Sequence, residues 1–183
     1  KFVLYDTTAG GKVSVPENPL VKSVSRKTEE DGKAIYTYKL KDADKLCGFD
    51  VTTKNGKLTF TLKYAPVLKK KGSLDGAVIL LDAGHGGSDN GTVGAMGGKG
   101  PTEKMVNLDL TLRTRDALEK MGAKVVLVRS TDVFYTLDER VELIRNTKPD
   151  LSISIHGNAM GITSDYSKSS GFLTFYSYND VQD

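Results

Sequence analysis

Ala77-Val78-Ile79-Leu80-Leu81-Asp82-Ala83-Gly84-His85-Gly86-Gly87 is the stretch on which the fold turns. The apolar run from Ala77 to Leu81 leaves no polar face. It suits a strand covered on both sides, the kind found in parallel sheets. A glycine-rich loop follows, and then a predicted helix over Glu103–Met121. Leu108, Leu112, Leu118 and Met121 recur there at helical spacing, and Gly122 stands at the stop. Lys124–Val128 reads as the next buried strand. Thr136-Leu137-Asp138-Glu139 has the capping-box pattern and opens a second helix with Leu137, Val141 and Ile144 expected on its inner face. Leu151–Ile155 is another strand and Gly171–Tyr178 a fourth. Strand–helix alternation of this kind predicts an α/β domain, a mostly parallel sheet flanked by helices.

Upstream of Ala77 the pattern is different. Residues 1–66 read as a small all-β module, with short runs at Phe2–Tyr5, Lys12–Val15, Leu20–Lys27 and Ala34–Leu40 between Gly, Pro and Asn. In Ala34–Tyr38 the alternation sets Ile35 on one face and Tyr36 and Tyr38 on the other. Val51–Leu62 is a hairpin about Asn55-Gly56, a pair suited to the positive φ values of a two-residue turn. Residues 67–76, with Lys69-Lys70-Lys71-Gly72, form the expected linker, and 77–183 the α/β domain.

Composition narrows the chemistry. Of 183 residues, 38% are hydrophobic and 27% charged, which describes a globular protein. No apolar run approaches the ~18 residues of a membrane-spanning helix. Cys47 is the lone cysteine, so no disulfide forms within the chain and no cysteine-based zinc cluster is available. Residues 1–74 carry 15 Lys/Arg against 8 Asp/Glu, and residues 75–183 carry 11 against 15. This asymmetry supports a two-part chain whose first part is suited to an anionic polymer. Nucleic acid is not the expected partner, because Arg26 is the only arginine before residue 75 and arginine dominates base and phosphate recognition. Lys1 in place of a methionine, and a strand-like run ending at Asp183, read as a stretch of a longer chain. The absence of a signal peptide therefore says nothing about export.

His85 and His156 are the only histidines, and each falls just past the carboxyl end of a predicted strand. That edge is where open α/β sheets bind ligands. A catalytic zinc takes about three protein ligands and keeps a position open. With no thiol nearby, the third ligand must be a carboxylate: Glu103 opens a helix at the same edge, and Asp82 and Asp89 compete with it. Gly84–Asp89 lacks the third glycine of a dinucleotide loop and the Gly-Lys-Ser/Thr ending of a P-loop. There is no Gly-x-Ser-x-Gly elbow for a serine hydrolase.

Five motifs occur in order: Leu81-Asp-Ala-Gly-His-Gly-Gly87; Pro101-Thr-Glu-Lys104 with Asn107-Leu108; Val128-Arg129 with Asp132; Leu137 with Arg140; and Ser154-Ile-His-Gly-Asn-Ala159. Together, over roughly residues 77–180, they resemble the zinc-dependent N-acetylmuramoyl-L-alanine amidases of bacterial cell walls. The resemblance implies one Zn²⁺ ion held by His85, Glu103 and His156, and a substrate-side role for Asn158. For Asn107, Arg129 and Arg140 we expect fold-supporting hydrogen bonds. It further implies a peptidoglycan substrate, cleavage between N-acetylmuramic acid and L-alanine, and export to the cell wall or periplasm. Ala83 and Gly157 depart from residues common in the family without touching a ligand. The family's catalytic glutamate belongs to a later strand, so the general base is expected beyond Asp183. The competing expectation is a zinc-binding but inactive wall-binding or regulatory protein. A third is an amidase acting on another acyl amide.

Overall fold

The computed structural model describes residues 1–5, 14–15, 17–29, 32–94, 99–158, 171 and 173–175. The chain divides into two compact units, Lys1–Ala65 and Pro66–Asp183.

In the first unit, β1 (Phe2–Leu4), β2 (Val21–Thr28) and β3 (Ala34–Leu40) form an antiparallel sheet in the order β1-β3-β2. The Asn18 side chain starts β2 by accepting the N–H groups of Leu20 and Val21 at 3.0 and 2.6 Å. Along β3, Ala34 and Ile35 are buried; Tyr36 and Tyr38 are half-buried and alternate with exposed Thr37 and Lys39. β4 (Leu46–Lys54) and β5 (Lys57–Tyr64) make the hairpin, and φ values of 51° at Asn55 and 71° at Gly56 close its turn. Phe2 ties the two sheets together, its ring 4.4 Å from Phe60, 5.7 Å from Tyr38 and 5.8 Å from Phe49 between centroids. The strand expected at Lys12–Val15 lies partly outside the described residues, and Ser14 and Val15 are not in a strand.

The second unit is α/β. β6 (Val78–Ala83) lies between β7 (Lys124–Leu127) and β8 (Leu151–Ile155), parallel to both. Ile79, Leu81 and Ala123 form the core with Leu74, Leu118, Val125, Leu127 and Ile153 against them, and Leu80 is fully buried on the opposite pleat. Helix α1 (Glu103–Lys120) joins β6 to β7 and α2 (Leu137–Thr147) joins β7 to β8. Both halves of the Thr136–Glu139 capping box are formed.

The faces of the helices differ from the sequence expectation. On α1 the buried stripe is polar, Glu103, Asn107 and Thr111, while Leu108, Leu112 and Leu118 are half-buried and Met121 is 48% exposed. On α2, Leu137 and Val141 face solvent and Arg140 is buried, with Leu143 and Ile144 half-buried. The end of β6 presents Asp82 and free carbonyls to α2, and a guanidinium satisfies these where a leucine would not. Of the strand expected at Gly171–Tyr178, the described residues Gly171 and Leu173–Phe175 carry no strand, and the rest lies outside the described residues. Among the described residues no helix is long and apolar enough to cross a membrane.

Candidate metal centre

Pairing of β6 with β8, down to Ala83 opposite Ile155, delivers both histidines to one edge of the sheet. The Gly84 N–H continues the ladder to the Ile155 carbonyl at 3.0 Å. His156 then lies so close to Gly84 that a Cβ there would sit 2.3 Å from its ring. Gly91 cradles His85 in the same way, with a Cβ position 2.6 Å from that ring. The chain turns at His85 itself, which takes a left-handed φ of 61°. Glu103, first residue of α1, enters beneath the two imidazoles.

His85, Glu103 and His156 each offer one ligand atom, all within 4.8 Å of one another. His85 Nε2 and His156 Nδ1 both lie 3.2 Å from Glu103 Oε1, and the rings stand edge to face at 4.9 Å between centroids. The other nitrogen of His85, Nδ1, is 2.8 Å from Asp89 Oδ2. Asp89 is held below the usual carboxylate range, first by the Gly91 N–H and then by His85, so it accepts and Nδ1 carries the proton. Nε2 is then the lone-pair nitrogen, turned toward Glu103.

The Glu103 side chain is 4% exposed. Burial pushes its carboxyl up, but the Thr92 N–H and hydroxyl, the Gly157 N–H and His85 together outweigh burial and hold it down to about 2. These donors sit at 3.0 and 2.9 Å from Oε2 for Thr92 and 2.9 Å from Oε1 for Gly157. The ionised carboxylate and one nitrogen of each imidazole thus converge on one place. A cation relieves that arrangement, and a borderline-soft divalent ion such as zinc favours two imidazoles and a carboxylate. The residues fit the metal.

The loop that carries His85 is held by buried side chains. Arg129, 2% exposed, donates to the carbonyls of Ala83, Gly84 and Lys104 at 2.8–2.9 Å. Arg140 pairs with Asp82 and donates to the carbonyls of Ala83 and His85. Asn107 donates to Gly84 O at 3.3 Å. Lys104 reaches Gly87 O at 2.6 Å and Asp132 at 2.9 Å, and Asp132 accepts the Gly87 N–H at 2.7 Å.

The structure thus brings together His85, Glu103 and His156 and turns the rival carboxylates elsewhere. Asp82 binds Arg140 and the Ser154 hydroxyl; Asp89 stands behind His85. Asn158 is exposed, with a left-handed φ of 53°, one residue past the Gly157 N–H that grips Glu103. Sequence reasoning missed Thr92, which supplies two of the bonds on Glu103. Its only signal is a hydroxyl residue following Asn90-Gly91, which is weak.

Fold and site define a parallel α/β domain with a His-Glu-His cluster at the carboxyl edge of its sheet. The chain belongs to the N-acetylmuramoyl-L-alanine amidase family, whose sequence profile matches residues 79–183. It is 42% identical over 106 residues to the N-acetylmuramoyl-L-alanine amidase LytC of Bacillus subtilis, covering 58% of this chain and 20% of that protein. With the germination-specific N-acetylmuramoyl-L-alanine amidase of the same organism it shares 38% identity over 117 residues, covering 56% of this chain and 46% of the relative. Among solved structures, the catalytic domain of CwlV, an N-acetylmuramoyl-L-alanine amidase from Bacillus (Paenibacillus) polymyxa, aligns with a TM-score of 0.44 at 40% identity, over 46% of this chain and 47% of that one. The chain therefore spans half or less of the length of each of these three.

Proposed function

We propose that this chain is the zinc-binding part of a peptidoglycan hydrolase that cleaves the amide between the lactyl group of N-acetylmuramic acid and the L-alanine of the stem peptide. One observation carries the reading: the convergence of His85, Glu103 and His156 within 4.8 Å on the segment that matches the amidase family. A zinc ion held there supplies Lewis acidity to a carbonyl oxygen and lowers the pKa of water. His85, Glu103 and His156 are the ligands, and Asp89 holds the His85 tautomer. The His156 side chain, 43% exposed, leaves the cluster open to a polymeric substrate. Asn158, beside it in sequence, is the proposed substrate contact.

Hydrolysis also needs a group that takes a proton from water and returns it to the leaving amine. Asp82 and Asp89 are both bound to other partners, so neither serves. We assign that role to a glutamate beyond Asp183, and expect the 183-residue chain alone to turn over slowly. The same observation favours a second reading, a zinc-binding protein without activity that binds or regulates at the wall. Digestion of purified peptidoglycan, read as new N-terminal alanine, separates the two once the chain is extended past Asp183. Metal analysis tests the site itself. Wild type should hold one zinc and His156→Ala should lose it; full occupancy in the variant refutes the ligand set.

Peptidoglycan lies outside the cytoplasmic membrane, so this reading places the protein at the wall or in the periplasm, after export. Residues 1–66, as a separate all-β module rich in lysine, are suited to anionic wall polymers.

A further inference from the structure

A groove of about 350 Å³ opens beside His85 and His156, and its lining is of two kinds. Among the described residues, most of the polar side chains, the Tyr135 hydroxyl apart, already have partners. Asp82 is bound by Arg140 and by the Ser154 hydroxyl, and the other Arg140 N–H groups go to the carbonyls of Tyr135, Ala83 and His85. The Thr136 hydroxyl is engaged with Glu139. The second kind is apolar and open: Phe134 is 49% and Leu137 80% exposed.

The backbone that carries each of them is fixed. The Phe134 backbone packs on Gly87 so tightly that a Cβ at that glycine would lie 2.7 Å from the Phe134 nitrogen. Leu137 is the first residue of α2, whose start is fixed by the Thr136–Glu139 box. Two apolar side chains on anchored backbone therefore stand in water next to the two imidazoles, lining the same groove as His85 and His156.

We infer that Phe134 and Leu137 form a specificity wall for the methyl-bearing segment around the scissile amide, the lactyl and L-alanyl methyl groups. The inference rests on the amidase reading above and names which part of that substrate the groove takes. Hydrogen bonding decides the occupant. A pyranose ring would surrender water from several hydroxyl groups and meet mostly side chains that already have partners. The Tyr135 hydroxyl is too little to replace that water, so affinity is lost for each group left unpaired. The lactyl–alanyl segment makes a small polar demand, a single amide, and its methyl groups match an apolar wall.

The test is calorimetric binding to the zinc-loaded protein of three ligands: N-acetylmuramoyl-L-alanyl-D-isoglutamine, its analogue with glycine in place of alanine, and N-acetylglucosamine, which lacks the lactyl group. Wild type should favour the alanyl over the glycyl ligand by about fourfold, the worth of one buried methyl group. Leu137→Ser and Phe134→Ser should abolish that preference, and Leu137→Met should keep it. Leu137 packs into no core, so its variants should retain zinc and circular dichroism like wild type. An unchanged preference in both serine variants overturns the inference alone. So does a selective loss of N-acetylglucosamine binding in the serine variants, because that sugar has no lactyl group and its loss puts the pyranose on the wall. Failure of wild type to bind any of the three overturns the amidase reading and the inference with it.

Discussion

Asp89 shows how one side chain acts through another. Its carboxylate accepts from His85 Nδ1 and leaves Nε2 facing Glu103. Outer partners of this kind are worth about 10- to 100-fold in metal affinity. Asp89→Ala should therefore weaken zinc binding by about that factor in a chelator competition. Asp89→Asn, which can still accept from Nδ1, should recover most of it. Equal losses in both variants would mean that charge, not orientation, is what Asp89 supplies. Glu103 yields a prediction about acid. Its folded pKa, about 2, lies below the ~4.3 of an unfolded glutamate, so the stability it contributes is present above that unfolded value and lost as pH falls toward 2. The difference is worth roughly 3 kcal/mol. In metal-stripped protein, the melting temperature of wild type should drop through this window more steeply than that of Glu103→Gln. Parallel curves would show that the Thr92 and Gly157 donors do not stabilise the ionised form.

Elements show what could be read in advance and what could not. The apolar run of β6, the Asn55-Gly56 turn and the Thr136–Glu139 box announce themselves because each is a local rule satisfied within a few residues. The inner face of α1 does not, because its buried stripe of Glu103, Asn107 and Thr111 is invisible to apolar periodicity. The face of α2 escapes apolar periodicity for the same reason: the buried position is an arginine, recruited by Asp82 on β6. Among the carboxylates at the sheet edge, spacing left Asp82, Asp89 and Glu103 open as metal ligands. In three dimensions Asp82 pairs with Arg140 and Asp89 with His85 Nδ1, and Glu103 is the carboxylate that faces both imidazoles. Arg140 thus joins α2 to the strand that carries the site. Removing one partner of a buried ion pair costs about 3–5 kcal/mol. Arg140→Leu should accordingly speed hydrogen exchange at the β6 amides, and Arg140→Leu combined with Asp82→Leu should restore part of the protection. Exchange unchanged in the single variant would show that Arg140 does not hold the strand end.

At the scale of the whole molecule, charge is the property that separates the two parts of the chain. Residues 1–74 hold 15 of the 26 Lys/Arg, whereas the remainder is net acidic with 11 against 15. By charge alone, an anionic polymer should therefore favour the first part over the second, whatever the His-Glu-His cluster does. Exposed lysines act only over about a Debye length, ~8 Å at physiological salt, so such attraction is weak and screened. Sedimentation of the full chain with purified walls should show partial retention at low salt that fades as salt rises. Walls stripped of anionic polymer should retain less, and exchanging Lys69, Lys70 and Lys71 for glutamate should lower retention further. Retention that ignores salt and survives stripping would point instead to a carbohydrate pocket on the chain. The lysines would then be a solvated surface with no polymer partner.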